Sequence, residues 1–124
     1  MIAVREVSKR YGDFEAVHGV SFAVEPGRVL GLLGPNGAGK TTIMRMISGY
    51  HRPSSGSVLV GGFDVVEAPV EAKRRVGYLP ENAPAYADPS PEEYLRFVAE
   101  ARGLEKPEQA LERVAAACGL EPIW

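Results

Sequence analysis

Residues 29–42, Val-Leu-Gly-Leu-Leu-Gly-Pro-Asn-Gly-Ala-Gly-Lys-Thr-Thr, constrain this chain more than any other stretch. They read as a short apolar strand, a glycine-rich turn and the opening of a helix. Gly34, Gly39, Lys40 and Thr41 fill every fixed position of the pattern G-x-x-x-x-G-K-[ST], the phosphate-binding loop. A triphosphate presents several oxygens at once, and only a loop poor in Cβ atoms brings successive backbone N–H groups close to them. Pro35, Asn36, Gly37 and Ala38 make up the turn between the fixed positions. The helix that follows adds unpaired N–H groups and the positive end of its dipole. Lys40 is expected to place its charge on the β/γ phosphates and Thr41 to ligate Mg²⁺ through its hydroxyl. By itself the loop leaves kinases, GTPases, motor ATPases and transporter ATPases open.

The rest of the composition narrows the setting. The 124 residues are 45% hydrophobic and 24% charged, ordinary for one globular domain. A formal net charge of -2 offers no positive surplus to steer the chain to nucleic acid or an anionic membrane. One cysteine, Cys118, cannot form an internal disulfide, which fits a reducing compartment. No apolar run approaches the ~20 residues that span a bilayer, and the N-terminus lacks a signal-type apolar stretch. A cytoplasmic location is the expectation.

In chain order, residues 1–8 alternate loosely and read as a half-buried strand. Tyr11-Gly12 makes a turn, and residues 15–24 form a second strand closed by Pro26-Gly27. Residues 28–33 are continuously apolar, as in a buried parallel strand. A helix is expected over 39–48, with Ile43, Met46 and Ile47 facing the core and Gly49 as its stop. Residues 57–60 read as a strand ended by Gly61-Gly62, residues 69–75 as a short helix opened by Pro69, and residues 76–80 as a short strand. Residues 81–89 read as a loop. Ser90-Pro91-Glu92-Glu93 then has the form of a capping box, with Gly103 ending the helix it opens. A last helix from Pro107 carries Leu111, Val114, Ala115 and Cys118 on one face and closes at Gly119, so Cys118 is expected to be a core thiol. His18 and His51 stand alone, without partners at ligand spacing, and Lys73-Arg74-Arg75 reads as a solvated helix face. Asp64 follows a run broken by Gly61 and Gly62, which argues against a metal-binding aspartate at the end of a buried strand.

The order Tyr11-Gly12, Val20-Ser21-Phe22, Gly34 to Thr42, Pro53-Ser54-Ser55-Gly56-Ser57-Val58 and Val76-Gly77-Tyr78-Leu79-Pro80-Glu81 resembles the ATP-binding-cassette family, specifically the nucleotide-binding subunits of ABC transporters. The resemblance covers essentially the whole chain. The segment 78–81 with Pro84 and Tyr86 looks most like a subset that includes gliding-motility-type export ATPases. The resemblance implies an α/β P-loop NTPase fold: antiparallel β-subdomain strands, the P-loop strand and helix, the Q-loop, the start of the helical subdomain, and an incomplete parallel core sheet. It implies one partial nucleotide-binding domain over 1–124, with the β-subdomain and P-loop core in 1–80 and the Q-loop and start of the helical subdomain in 81–124.

Site roles follow from the same resemblance. Tyr11 matches the aromatic that stacks on adenine, with Val17 packing nearby, and Thr42 adds a hydroxyl beside Thr41. Glu81 stands where the family has the Q-loop glutamine. A carboxylate there is a hard oxygen ligand, and it is expected to contact Mg²⁺ directly or through water. ATP and Mg²⁺ are the implied cofactors. A membrane-spanning permease and a second nucleotide-binding subunit are the implied partners, and the cytoplasmic face of the membrane is the implied location.

The family's signature motif, Walker B strand with its catalytic glutamate, and switch histidine all follow the Q-loop, and the chain stops at Trp124 before them. The expectation is a truncated domain with an open edge beside the P-loop strand, which binds ATP without hydrolysing it. The longer protein would couple hydrolysis to transport, with export favoured. A nucleotide-binding module without turnover and a non-transport ABC ATPase are the alternatives.

Overall fold

A computed structural model describes residues 1–35, 37, 39–83 and 86–124. It divides into two compact units, Met1–Leu79 and Pro80–Trp124.

The first unit is built on a four-stranded antiparallel sheet of order β2-β1-β3-β4. Its strands are β1 (Ile2–Tyr11), β2 (Phe14–Val24), β3 (Ser55–Val60) and β4 (Phe63–Asp64). β1 is central, pairing Val4 with Phe22 on one side and with Val58 on the other. Alternation puts Val58 and Val60 of β3 on the buried face, and a break in the alternation of β1 between Val4 and Val7 lets both of these join them, which removes apolar area from water at about 25 cal/mol per Å². Onto that face α1 (Lys40–Ile47) lays Ile43, Met46 and Ile47, the three residues that the sequence periodicity selects. A short helix, α2 (Pro69–Lys73), adds the buried Ala72.

β1 is not regular. Glu6 has a positive φ of 47°, the one non-glycine residue of that kind among the described residues, and the register shifts around it. The bulge is held by Ser21 of β2: the Glu6 N–H donates to Ser21 Oγ at 2.8 Å, and the Ser21 hydroxyl donates back to Glu6 Oε1 at 3.1 Å. Gly56 of β3 faces the bulge so closely that a Cβ there would overlap the carbonyl oxygens of Arg5 and Glu6. The glycine in Pro53-Ser54-Ser55-Gly56 is thus a requirement of close backbone approach as well as of its φ of 78°.

Two expected strands do not form. Residues 28–33 form no strand, and Val29 and Leu33 are 99% and 97% exposed. The turn before them is as expected, with Arg28 N–H donating to Glu25 O at 3.1 Å. A strand, however, exists only through hydrogen bonds to a neighbour, and no described segment pairs with this one. The sheet that does form is antiparallel throughout, so the parallel core is not seen among the described residues. Residues 76–80, expected as a short strand, form none. Asp64 has a plain structural use, with its Oδ1 accepting from the N–H groups of Val66 at 2.7 Å and Glu67 at 3.2 Å.

The second unit holds α3 (Pro91–Ala101), α4 (Pro107–Cys118) and a 3-10 turn (Glu121–Ile123). α3 opens with the capping box read from the sequence: Glu93 N–H donates to Ser90 Oγ at 3.3 Å, and Ser90 N–H donates to Glu93 Oε2 at 2.8 Å. Arg96 of α3 holds Glu92 at 3.0 Å and Glu108 of α4 at 2.9 Å. Ala99, Leu111 and Ala115 are buried. Cys118 is exposed, against the expectation of a core thiol. The covered stretch of α4 ends with Ala115, and the last turn continues past it into solvent.

Candidate functional site

Gly37 and Gly39 take φ values of 86° and 88°, a region that L side chains adopt only at a cost. Gly39 is the N-cap of α1 and offers no side chain to cap it. Ile43 N–H donates to Gly39 O at 2.9 Å, which leaves the N–H groups of Lys40, Thr41 and Thr42 without intrahelical partners. No acidic residue stands in the first turn, so the positive end of the dipole is uncompensated. Lys40 turns back over the loop and donates through Nζ to the carbonyl oxygen of Gly34. Gly34, Pro35, Gly37 and Thr41 are exposed, while Lys40 and Thr42 are half-buried. Asn36 and Ala38 lie outside the described residues.

Gly39 also touches the sheet. A Cβ placed on it would lie 2.5 Å from Ala16 O and 3.0 Å from Val17 Cγ2. Val17 is 3% exposed, so in this structure it is a floor beneath the loop and part of the core of the first unit.

Tyr11 stands at the end of β1, paired with Phe14 across the Gly12-Asp13 turn, and is 44% exposed. Its hydroxyl meets His51 Nδ1 at 2.7 Å, and the two rings meet edge to face with centroids 6.0 Å apart. Lys9 Nζ lies over the tyrosine ring, 5.3 Å from its centroid, and donates to Arg52 O at 2.6 Å. Ser54 ties the same loop to β1: its N–H donates to Ser8 O at 2.8 Å, and its Oγ accepts from Arg10 N–H at 2.9 Å. His51 reaches Tyr11 because α1 ends in a Schellman motif, with Tyr50 N–H on Arg45 O at 2.8 Å and Gly49 N–H on Met46 O at 3.1 Å. Sequence reading set His51 aside, since Tyr11 lies forty positions before it and no spacing rule links the two.

Glu81 is exposed at the start of the second unit. Among the described residues, no three acidic, histidine or cysteine side chains converge as a metal cage. The donor set fits a polyphosphate that brings its own cation: N–H groups without intrahelical partners, an ammonium held by a loop carbonyl, and the Thr41 hydroxyl.

The sequence pattern of the ABC transporter family matches residues 17–123. Over 125 aligned residues, the chain is 39% identical to the "Probable multidrug ABC transporter ATP-binding protein YbhF" of Escherichia coli, across 99% of this chain and 22% of that protein. It is 38% identical over 104 residues to the linearmycin resistance ATP-binding protein LnrL of Bacillus subtilis, across 84% of this chain and 33% of that protein. A solved ATP-binding subunit of an ABC transporter superposes with a TM-score of 0.78 at 33% identity, across 86% of this chain and 45% of the other. The chain thus spans less than half the length of each of these relatives.

Proposed function

The chain belongs to the ABC transporter family, and from that premise we propose that it forms the nucleotide-cradling part of an ATPase subunit that drives transport across a membrane. The observation that carries this reading is the start of α1, where a glycine N-cap, three N–H groups without intrahelical partners and Lys40 converge with no acidic residue in the first turn. When bound, Mg²⁺·ATP would supply the phosphoryl group whose transfer powers transport. The chain's own residues hold and orient it. Gly34, Asn36, Gly37, Ala38 and Gly39 give the loop its backbone donors, and Pro35, which has no N–H, shapes the turn between them. Lys40 exchanges its contact with the Gly34 carbonyl for a phosphate oxygen. Thr41 ligates the cation, and Thr42 adds a second hydroxyl. Tyr11 offers a ring face to the base, where stacking is worth ~1–3 kcal/mol.

In this reading Glu81 faces the cation as a carboxylate, in place of a neutral amide. Replacing it with glutamine is expected to shift the Mg²⁺ concentration needed for half-maximal nucleotide binding, and an unmoved metal titration would remove Glu81 from the site. This chain is proposed to bind ATP without turning it over, hydrolysis belonging to the longer protein that pairs with a second nucleotide-binding subunit and a permease. No helix among the described residues is long and apolar enough to cross a membrane, which is consistent with a subunit held at the cytoplasmic face by its permease. The relatives' names, multidrug and linearmycin resistance, favour export. Isothermal titration with Mg²⁺·ATP tests binding. Phosphate release by this chain above background would refute the separation of binding from turnover.

A further inference from the structure

We infer that His51 is a positioning residue for the nucleotide base, fixing the Tyr11 ring and joining it to the helix that opens at the phosphates. This rests on the ATP-binding reading above. A tyrosine at the end of an edge-exposed hairpin has two freedoms to lose before it can serve as a stacking platform: the swing of the whole side chain about χ1 and the spin of the ring about its own axis. The hydrogen bond from the Tyr11 hydroxyl to His51 Nδ1, at 2.7 Å, stops the first. It leaves the second free, because the oxygen lies on the axis of that spin. The edge of the imidazole, its plane at 72° to the phenol ring, and the Lys9 ammonium over the ring together set the plane. Lys9 occupies one face, so a base can use only the other.

The contact is not needed to hold the loop. Ser54 already bonds Ser8 and Arg10, and Lys9 bonds the Arg52 carbonyl, so residues 52–54 are fastened to β1 without His51. What His51 does is bond the tip of Tyr11. It arrives there directly from the α1 terminus, through Gly49 and Tyr50, so the ring and the phosphate-facing helix share one rigid connection. The phenol hydroxyl both donates and accepts, so it can bond Nδ1 in either tautomer of the imidazole.

The test compares two ligands on the full chain by calorimetry: Mg²⁺·ATP, which carries a base, and Mg²⁺·tripolyphosphate, which does not. His51→Ala is expected to weaken ATP by roughly 2- to 12-fold, the loss of one hydrogen bond, while tripolyphosphate affinity stays put. His51→Asn, whose amide can stand where Nδ1 stands, is expected to restore ATP affinity. Tyr11→Phe should weaken ATP as His51→Ala does, and the double variant should be no weaker than either single one. If His51→Ala leaves ATP affinity unchanged, weakens both ligands equally, or adds its loss to that of Tyr11→Phe, the positioning role is overturned and ATP binding stands. A wild-type chain that binds tripolyphosphate no worse than ATP overturns the base contact itself, and one that binds neither overturns both readings.

Discussion

Two helices of this molecule begin in opposite ways. α3 opens on Ser90 and Pro91, closes its capping box with Glu93 and carries Glu92 and Glu93 in its first turn. α1 opens on Gly39, has no side-chain cap and no acidic residue in its first turn. Every helix faces the same problem of unpaired N–H groups and a positive dipole end. α3 solves it with its own residues, and its sequence is complete in that sense. α1 has no such solution within its own turn, and its donors stand beside a lysine that bonds the Gly34 carbonyl. α2 and α4 also start without a side-chain cap, but Glu71 and Glu108 stand in their first turns, so the informative feature of α1 is that it lacks both a cap and an acidic residue there.

That contrast can be broken from either side. The largest effect is expected from Gly39→Ala, which forces a side chain into positive φ and onto Ala16 O. It should cost roughly 3 kcal/mol of stability by chemical denaturation and abolish measurable triphosphate binding. Lys40→Ala should leave the fold intact and lower triphosphate affinity by roughly 10- to 150-fold, the equivalent of ~1.5–3 kcal/mol for a charge-assisted contact. Unchanged affinity would mean that the open end of α1 is not the anion site. Ser90→Ala should cost about 1 kcal/mol of stability with no effect on nucleotide, since the cap it removes is filled from within the chain.

The smallest effect is a pH dependence. The Ser90 N–H, and after it the Ser90 hydroxyl, hold the Glu93 carboxyl below the usual glutamate range. A carboxyl whose pKa is lowered by folding binds fewer protons folded than unfolded. Its contribution is therefore in place above the ordinary glutamate value and is lost as pH falls through the lowered one. Helicity of the second unit, followed by circular dichroism, should show an acid-side loss that Glu93→Gln removes.

These features differ in how far they could be read from the sequence. The glycine loop, the capping box and the helix stops at Gly49, Gly103 and Gly119 were legible because each is settled within a few residues. Gly103 and Gly119 end their helices as Gly49 does, with Leu104 N–H on Ala99 O and Leu120 N–H on Ala115 O. Residues 28–33 and 57–60 are both rich in apolar side chains, yet the first is exposed except at the half-buried Leu32 and the second is the buried end of β3. Composition cannot separate them, because a strand is a relation to a neighbour: β3 has β1 and β4, and residues 28–33 have none among the described residues. Cys118 kept the helical period of its face but outran the partner beneath it. The need for glycine at position 56 depends on the bulge at Glu6, which no local rule announces. His51 was invisible for the same reason, its partner being brought to it only when α1 ends as it does.

The ladder between β1 and β3 pairs Ile2 with Val60 and Ser8 with Ser55, and the chain between those strands contains the whole glycine loop and α1. β1 and β2, by contrast, are joined by a turn of two residues. Local hairpins of that kind form in about 1–10 μs, whereas the distant pairing must first overcome the entropy of closing the loop. The expected order of assembly is hairpin first, then β3, with the Gly56 contact at the Glu6 bulge clicking shut as α1 docks. Pulse-labelled hydrogen exchange should find β1–β2 amides protected before those of β3. The platform under Gly39 would then be present in the folding chain before the loop that rests on it.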